Sequence, residues 1–181
     1  VENQSTIENI VKDDRYSELK SAEYLYTEGK KTIDKYTTST VCLFKIINLT
    51  KINEVISRKT GDNVITQVCR EIKQNLSNEY IFVRYMGPKF VIAFSGVEAG
   101  STADFLNEMK NVIESMKIEL TPVERQEQGL QPKKQGEEVA IPKLNFVISS
   151  YYKGTGLEEV LKKLEEYLDN APKEENDINE I

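Results

Sequence analysis

The chain has 181 residues, enough for one domain with a sizeable core, and its contents of 39% hydrophobic and 30% charged residues are ordinary for a globular protein. Its formal net charge is -6, and its Lys and Arg residues form no cluster beyond short pairs such as Lys30-Lys31 and Lys133-Lys134, so we expect no nucleic-acid partner. The chain contains no histidine, which excludes His-dependent catalytic triads and removes the commonest transition-metal ligand.

The first third of the chain predicts a linker, two helices and one buried strand. Residues 1–15 are polar and indicate an N-terminal linker, and a helix is predicted from about residue 17 to residue 31. The run at 41–47 is almost entirely apolar and rich in β-branched residues, which favours a strand buried on both faces. A short helix over 49–57 is expected to follow.

The middle of the chain predicts two amphipathic helices on either side of a β-hairpin. The first helix starts at Gly61-Asp62, because apolar residues then recur at helical spacing up to Leu76. Strands are predicted over 80–85 and 90–94, and the Met86–Lys89 segment between them has the composition of a tight turn. The second helix is predicted over 102–116.

The last third predicts one more strand and helix around polar segments. Residues 121–138 are rich in Gln, Lys and Glu and predict a long insertion loop, followed by a strand over 144–149 and a helix from Leu157. The tail over 172–181 is acidic and is expected to be disordered. The order of elements indicates a single α/β domain over 16–171, with a mixed, mainly antiparallel central sheet and helices on both faces.

The two cysteines and the hydropathy pattern give information about the cellular location of the protein. Cys42 and Cys69 lie in apolar stretches without metal-site spacing, which favours free thiols in a reducing, cytoplasmic setting. No apolar run approaches the ~20 residues needed to cross a bilayer, and no signal peptide is evident. We expect a cytoplasmic segment without direct membrane insertion, and leave open that it is the soluble part of a larger, membrane-anchored protein.

Four separated motifs carry a family resemblance. Residues 45–54 are similar to the pattern D-x-D-x-F-K-x-I-N-D. Gly61-Asp62 begins eight residues after Asn53 and is similar to the G-D pair that follows this pattern at the same spacing. Residues 84–90 are similar to R-Y-G-G-D-E-F, and the apolar strand at 91–94 follows directly. Over residues 14–176 the chain therefore resembles the GGDEF domain of diguanylate cyclases, a relative of the adenylyl cyclase and polymerase palm folds.

The resemblance implies that the metal-binding carboxylates are missing. Diguanylate cyclases join two GTP molecules with the help of two divalent cations, which carboxylates must hold. Here the first-strand aspartate is replaced by Lys45, and the acidic pair of the signature by Pro88 and Lys89. Neither lysine nor proline has a side chain that ligates magnesium. The remaining signature positions are Met86, Gly87 and Phe90. We expect a degenerate domain that binds no metal or other cofactor and has no cyclase activity.

The nucleotide contacts implied by the family are only partly retained. Asn53 and Asp62 match the residues that read guanine, but each also has a structural interpretation, in which Asp62 caps its helix or complements the helix dipole. The family's late Lys and Arg fall on Pro172 and Asn176, which cannot hold phosphates in the same way. The family's inhibitory R-x-x-D falls on 77–80, where neither charge is present.

Lys45 lies in an apolar strand and therefore needs a partner or a water-filled cleft. Two interpretations are open: a salt bridge to Glu54 or Asp62, or an anion site shared with Lys89. We expect a catalytically inactive regulatory domain in bacterial signalling or assembly, which acts through a protein partner or as a homodimer and for which the insertion at 121–138 is a candidate contact. The alternative is a non-catalytic receptor for a guanine nucleotide, either GTP or cyclic di-GMP. An enzyme with altered chemistry is the weakest option.

Overall fold

A five-stranded sheet organises the computed structural model, which describes residues 19–130, 139–170 and 178–181. The strand order is β2-β3-β1-β4-β5, and all neighbouring pairs are antiparallel except the parallel pair of β4 and β5. The strands are β1 (Thr38–Ile46), β2 (Ile81–Met86), β3 (Lys89–Phe94), β4 (Leu144–Tyr152) and β5 (Ile178–Glu180). The expected mixed, mainly antiparallel sheet is confirmed.

Six helices accompany the sheet in the described part of the chain. Helix α1 consists of three consecutive segments, Ala22–Tyr24, Leu25–Gly29 and Lys30–Ile33, of which the middle one is π-helical. The others are α2 (Leu49–Val55), α3 (Arg58–Asn75), α4 (Ala99–Ile113), α5 (Pro122–Glu127) and α6 (Leu157–Asn170). No helix among these residues is long and apolar enough to span a membrane.

Strand β1 is buried on both faces, as its apolar sequence predicts. Cys42 and Phe44 belong to the core cluster that contains α3 and α4, whereas Val41 and Leu43 belong to the cluster that contains α1 and α6. Successive side chains of a strand point to opposite faces, so a central strand between two helical layers needs apolar residues at every position. This arrangement confirms helices on both faces of the sheet.

Both cysteines are buried and free. Burial raises the pKa of the Cys69 thiol to about 12, and it raises the pKa of Cys42 further. Neither thiol therefore ionises at neutral pH, so both act as small core residues, as the sequence predicts.

Helix α3 begins three residues earlier than predicted, and this changes the interpretation of Asp62. The hydroxyl of Ser57 accepts a hydrogen bond of 3.0 Å from the backbone N–H of Thr60 and caps the helix. Gly61 and Asp62 consequently lie inside the helix. The expectation that Asp62 caps it is therefore wrong, because an N-cap residue must precede the first turn.

The insertion and the tail contain more structure than their composition predicts. Thr121 and Glu124 form a reciprocal capping box that starts α5, so the expectation of a loop throughout 121–138 is wrong for this part. In the tail, Ile178–Glu180 pairs with β4, and Ile178 packs against the core, so the expected disorder is wrong there. The predicted features over 131–138 and 172–177, together with the linker over 1–15, lie outside the described residues.

Candidate functional site

Three polar residues form one row across the sheet where the family resemblance places the metal site. Lys45 on β1 pairs in register with Lys89 on β3 on one side and with Asn145 on β4 on the other. Directly opposed residues of antiparallel strands point to the same face. The row lies on the face covered by α6, because Leu43 and Val147, two residues away along the strands, pack in the cluster that contains α6.

Lys89 is held by two carboxylates of α6. Its Nζ lies 3.0 Å from Oε2 of Glu165 and 2.8 Å from Oδ1 of Asp169, and only 15% of its side chain is exposed. Burial alone would lower the pKa of Lys89, but the hydrogen bonds to Asp169 and Glu165 outweigh burial and raise its pKa. The lysine is therefore charged at neutral pH, and it joins the hairpin to the last helix.

Lys45 does not form the ion pair that was predicted as its simplest role. No salt bridge joins its half-buried side chain to Glu54, to Asp62 or to any other acid in the described part of the chain. The physical reason is the pleat of β1, which directs Lys45 toward α6, whereas α2 and α3 pack on the opposite face. The other interpretation, an anion site shared with Lys89, stays a prediction.

Asn145 was not singled out from the sequence. It is only 1% exposed, and neither its Oδ1 nor its Nδ2 has a hydrogen-bond partner. An unsatisfied amide in a protein interior is unfavourable by about 1–3 kcal/mol. An asparagine among the apolar residues of 144–148 is the signal that could have identified it, but only the sheet register shows that it adjoins Lys45.

The tip of the hairpin confirms the predicted tight turn. Gly87 has a φ of 56°, in the left-handed region that glycine adopts without strain, and it precedes Pro88 in the two-residue connection. The carbonyl oxygen of Pro88 accepts a hydrogen bond of 3.4 Å from the backbone N–H of Ile46. Met86 is exposed at this tip. At the position where the resemblance predicts a carboxylate, Pro88 therefore offers only a backbone oxygen, which accepts a hydrogen bond from β1.

Phe90, the last residue of the signature, has a role in the core. It is fully buried, and its ring stacks on that of Phe44 with centroids 5.3 Å apart. This aromatic pair lies on the face toward α3 and α4, away from the lysine row. Phe90 therefore contributes to packing of the core and not to the lysine row.

Asn53 and Asp62 lie on α2 and α3, which pack together. The Oδ1 atom of Asn53 is buried without a hydrogen-bond partner and lies against Gly61, so closely that a methyl group at Gly61 would overlap it. Asp62 is half-buried in the second turn of α3. The acceptor atom of Asn53 thus faces a helix backbone, where no guanine can reach it without movement of the side chain. The corresponding phosphate positions, Pro172 and Asn176, lie outside the described residues.

The residues of the row do not fit the divalent cations that the resemblance implies. No group of three or more Cys, Asp or Glu residues that could hold a metal ion occurs within residues 19–130, 139–170 and 178–181. The two carboxylates that contact Lys89, those of Glu165 and Asp169, are already engaged in ion pairs with its ammonium group. A magnesium ion needs oxygen ligands, and Lys45 and Lys89 would repel it.

Comparison with known proteins agrees with the motifs and the fold. The sequence model of the family "Diguanylate cyclase, GGDEF domain" matches residues 12–177. The chain is also 28% identical over 91 residues to the uncharacterized protein YtrP of Bacillus subtilis (strain 168), a match over 50% of this chain and 16% of YtrP. The chain thus spans a small part of that relative.

Solved GGDEF structures share the fold at low sequence identity. The diguanylate cyclase SiaD of Pseudomonas aeruginosa, solved with its activator SiaC, is 11% identical with a TM-score of 0.73, over 90% of this chain and 59% of SiaD. The GGDEF domain of DgcB from Caulobacter crescentus, solved with c-di-GMP, is 17% identical with a TM-score of 0.71, over 90% of this chain and 88% of that domain. Since the family model covers most of the sequence, the chain belongs to the GGDEF domain family.

Proposed function

We propose that this GGDEF domain does not condense GTP into cyclic di-GMP and instead acts as a regulatory domain in bacterial signalling or assembly through contacts with protein. The observation that carries the proposal is the double ion pair of Lys89 with Glu165 and Asp169. A cation occupies the signature position that would otherwise supply a metal-binding carboxylate. Two carboxylates of α6 bind this cation, so the ammonium group takes the place that a metal ion would have beside them.

The surrounding residues support the same conclusion. Lys45 adds a second positive charge in the same row, and Pro88 contributes no side-chain ligand at the hairpin tip. Two GTP molecules carry many negative charges, and their reaction depends on divalent cations to neutralise the phosphates and activate the attacking oxygen. Two lysines supply positive charge but no metal-bound oxygen, so the chemical step has no activating group here.

A protein partner is the natural recipient of a signal from such a domain. The related SiaD was solved in complex with an activator protein, and DgcB with c-di-GMP, so members of this fold engage both kinds of partner. In this chain the acceptor atom of Asn53 is buried against α3, which favours a protein partner over a nucleotide. A cytoplasmic location is part of the proposal, because GGDEF signalling relies on cytoplasmic nucleotides.

The test of the proposal is an assay for product with its own positive control. Purified chain is incubated with GTP and Mg²⁺ or Mn²⁺, and nucleotides are separated by chromatography beside an active diguanylate cyclase. We expect neither cyclic di-GMP nor pyrophosphate from this chain. Formation of either product with the wild-type chain, and its loss in a Lys89→Met variant, would overturn the proposal.

The second candidate function is that of a guanine-nucleotide receptor, and the carboxylate retained at Asp62 is the observation that favours it. Isothermal titration calorimetry with GTP and with cyclic di-GMP, each with and without Mg²⁺, tests this candidate. Binding that is lost in an Asp62→Ala variant would support a receptor. If neither titration shows heat of binding up to millimolar ligand, the receptor function is excluded and the protein-contact function remains.

A further inference from the structure

An open groove of about 530 Å³ lies between α2 and residues 139–143, separate from the lysine row. Ile52 and Ile56 line it, and both pack with the core on the α3 and α4 side, whereas the lysine row faces α6. We call this feature the α2 groove. It belongs neither to the residues that match the nucleotide site, Asn53 and Asp62, nor to the row, so a ligand could occupy it independently of them.

The walls of the α2 groove are held in place by hydrogen bonds on both sides of residues 139–143. The side chain of Asn48 donates a hydrogen bond of 2.8 Å to the carbonyl of Ile141 and accepts one of 3.0 Å from the N–H of Lys143. On its other side the segment pairs with Ile118, which exchanges two backbone hydrogen bonds with Ala140. Because the segment is fixed on both sides, the groove exists before any ligand arrives and little ordering is required for binding.

Two exposed apolar side chains line the groove from its two walls. Val55 of α2 is 54% exposed, and Ile141 of the opposite segment is 39% exposed. Single exposed apolar residues are normal on protein surfaces, but here two of them converge on one concavity. Both would lose contact with water if an apolar side chain of a partner entered between them.

The charges in the lining favour an acidic ligand. Lys51 and Lys143 line the groove, and neither forms an ion pair within the described part of the chain. Glu54 also lines the groove, so two lysines against one glutamate leave a charge of +1 there. The whole chain carries -6, so this positive groove opposes the charge of the molecule.

We propose that the α2 groove binds a short, acidic, amphipathic segment of a partner protein. An apolar side chain of that segment enters between Val55 and Ile141, and carboxylates beside it pair with Lys51 and Lys143. The inference rests on the proposed protein-contact function and names the surface and the chemistry of the partner. Carboxylates at the rim steer association and fix register, while the apolar side chain supplies most of the affinity.

The experiment is selection of peptides from a random phage-displayed library on the immobilised wild-type chain. Selected peptides are synthesised with a fluorophore, and their binding is measured by anisotropy to the wild-type chain, to Val55→Asp and to Val112→Asp. Val112 lies on α4, is 41% exposed and does not line the groove, so it is the matched control. Circular dichroism checks that both variants are folded.

The expected result is enrichment of peptides in which a large apolar residue adjoins Asp or Glu. Their affinity should fall at least tenfold in Val55→Asp and in the double variant Lys51→Glu/Lys143→Glu, weaken with added salt, and be unchanged in Val112→Asp. Selection of basic peptides, of peptides that bind Val55→Asp as well as the wild type, or of no peptide at all would overturn the inference. So would a dimer that Val55→Asp dissociates in light scattering, because the occupant would then be a second copy.

Failure of the groove assignment can be distinguished from failure of the proposed function. If the chain makes cyclic di-GMP but the acidic peptides bind as expected, the proposed function fails and the groove assignment stands. If the chain makes no product and the peptides bind Val55→Asp as tightly as the wild type, the groove assignment alone fails.

Discussion

Lys45 and Lys89 lie directly opposite each other on β1 and β3, on the face of the sheet that α6 covers. Like charges in directly opposed positions normally destabilise a pair of strands. The ion pairs from Lys89 to Glu165 and Asp169 offset this repulsion by drawing one of the two ammonium groups to α6. Lys89 is thereby an attachment point between the hairpin and the last helix.

Replacing Lys89 by methionine should reduce the free energy of unfolding by about 1–2 kcal/mol. The pair is more shielded than a surface ion pair, which is worth about 0–1 kcal/mol, but less buried than pairs whose disruption costs about 3–5 kcal/mol. Urea unfolding followed by circular dichroism measures the change. Lys31→Met is the control, because Lys31 and its partner Glu28 are largely exposed, and we expect a change below about 0.5 kcal/mol.

A Lys89→Glu variant should be less stable than Lys89→Met, because three carboxylates would then meet beside α6. Equal stability of Lys89→Glu and the wild type would contradict the role assigned to the ion pair.

The contact between Gly61 and Asn53 predicts that Gly61→Ala destabilises the wild type but stabilises an Asn53→Ala variant. In the wild type, Gly61→Ala should be destabilising by about 1–2 kcal/mol, because the new methyl group overlaps the buried Oδ1 of Asn53. In an Asn53→Ala background the same change should stabilise by about 0.5–1 kcal/mol, because alanine favours a helix interior over glycine. Thermal and urea unfolding of the four proteins in the cycle measure both effects. Destabilisation of similar size in both backgrounds would show that Asn53 is not the obstacle.

Substitution by leucine should change the free energy of unfolding in opposite directions at Asn145 and at Asn48. Asn145→Leu should raise the free energy of unfolding by about 1 kcal/mol, because it removes a buried amide whose two polar atoms have no partner. Asn48→Leu should lower it by about 1 kcal/mol, because the backbone of Ile141 and Lys143 would lose its hydrogen bonds to the amide. Chemical unfolding at one pH compares the pair. A stability loss in Asn145→Leu would mean that an ordered ligand or water satisfies Asn145.

Asp34 should make stability fall in acid more steeply than it does in an Asp34→Asn variant. Burial acts to raise the pKa of Asp34, but the hydrogen bonds from Lys30 and Tyr151 outweigh burial and lower its pKa. A carboxyl whose pKa is lower in the folded chain stabilises it above the unfolded-state pKa, and this contribution is lost as pH falls through the folded-state pKa. The stability gap between wild type and Asp34→Asn should therefore be widest near neutrality and should narrow from about pH 5 downwards.

Urea unfolding at a series of pH values measures this gap, with Glu28→Gln as an exposed control that should show little change. A gap that stays constant between neutrality and acid would contradict the lowered pKa of Asp34.

The sequence by itself determined the sheet class and the residue types that stand at the predicted signature positions. The run at 41–47 predicts a strand buried on both faces because it has no polar alternation, and glycine and proline predict the hairpin turn because their backbone preferences are local. That Lys45, Pro88 and Lys89 have no side-chain carboxylate can also be read without a structure, since ligand chemistry belongs to the residue type. The start of α3 was harder to predict from the sequence, because the glycine at position 61 is a stronger signal than the Ser57 that caps the helix.

Only the tertiary structure decided how these residues are used. The partners of Lys89 are 76 and 80 residues away in the chain, and no local pattern specifies such a separation. The register of β1 and β4 brings Asn145 beside Lys45, and the packing of α2 on α3 buries the acceptor of Asn53. Residue types limit which interactions are possible, but strand register and helix packing, which depend on the whole core, select the ones that form.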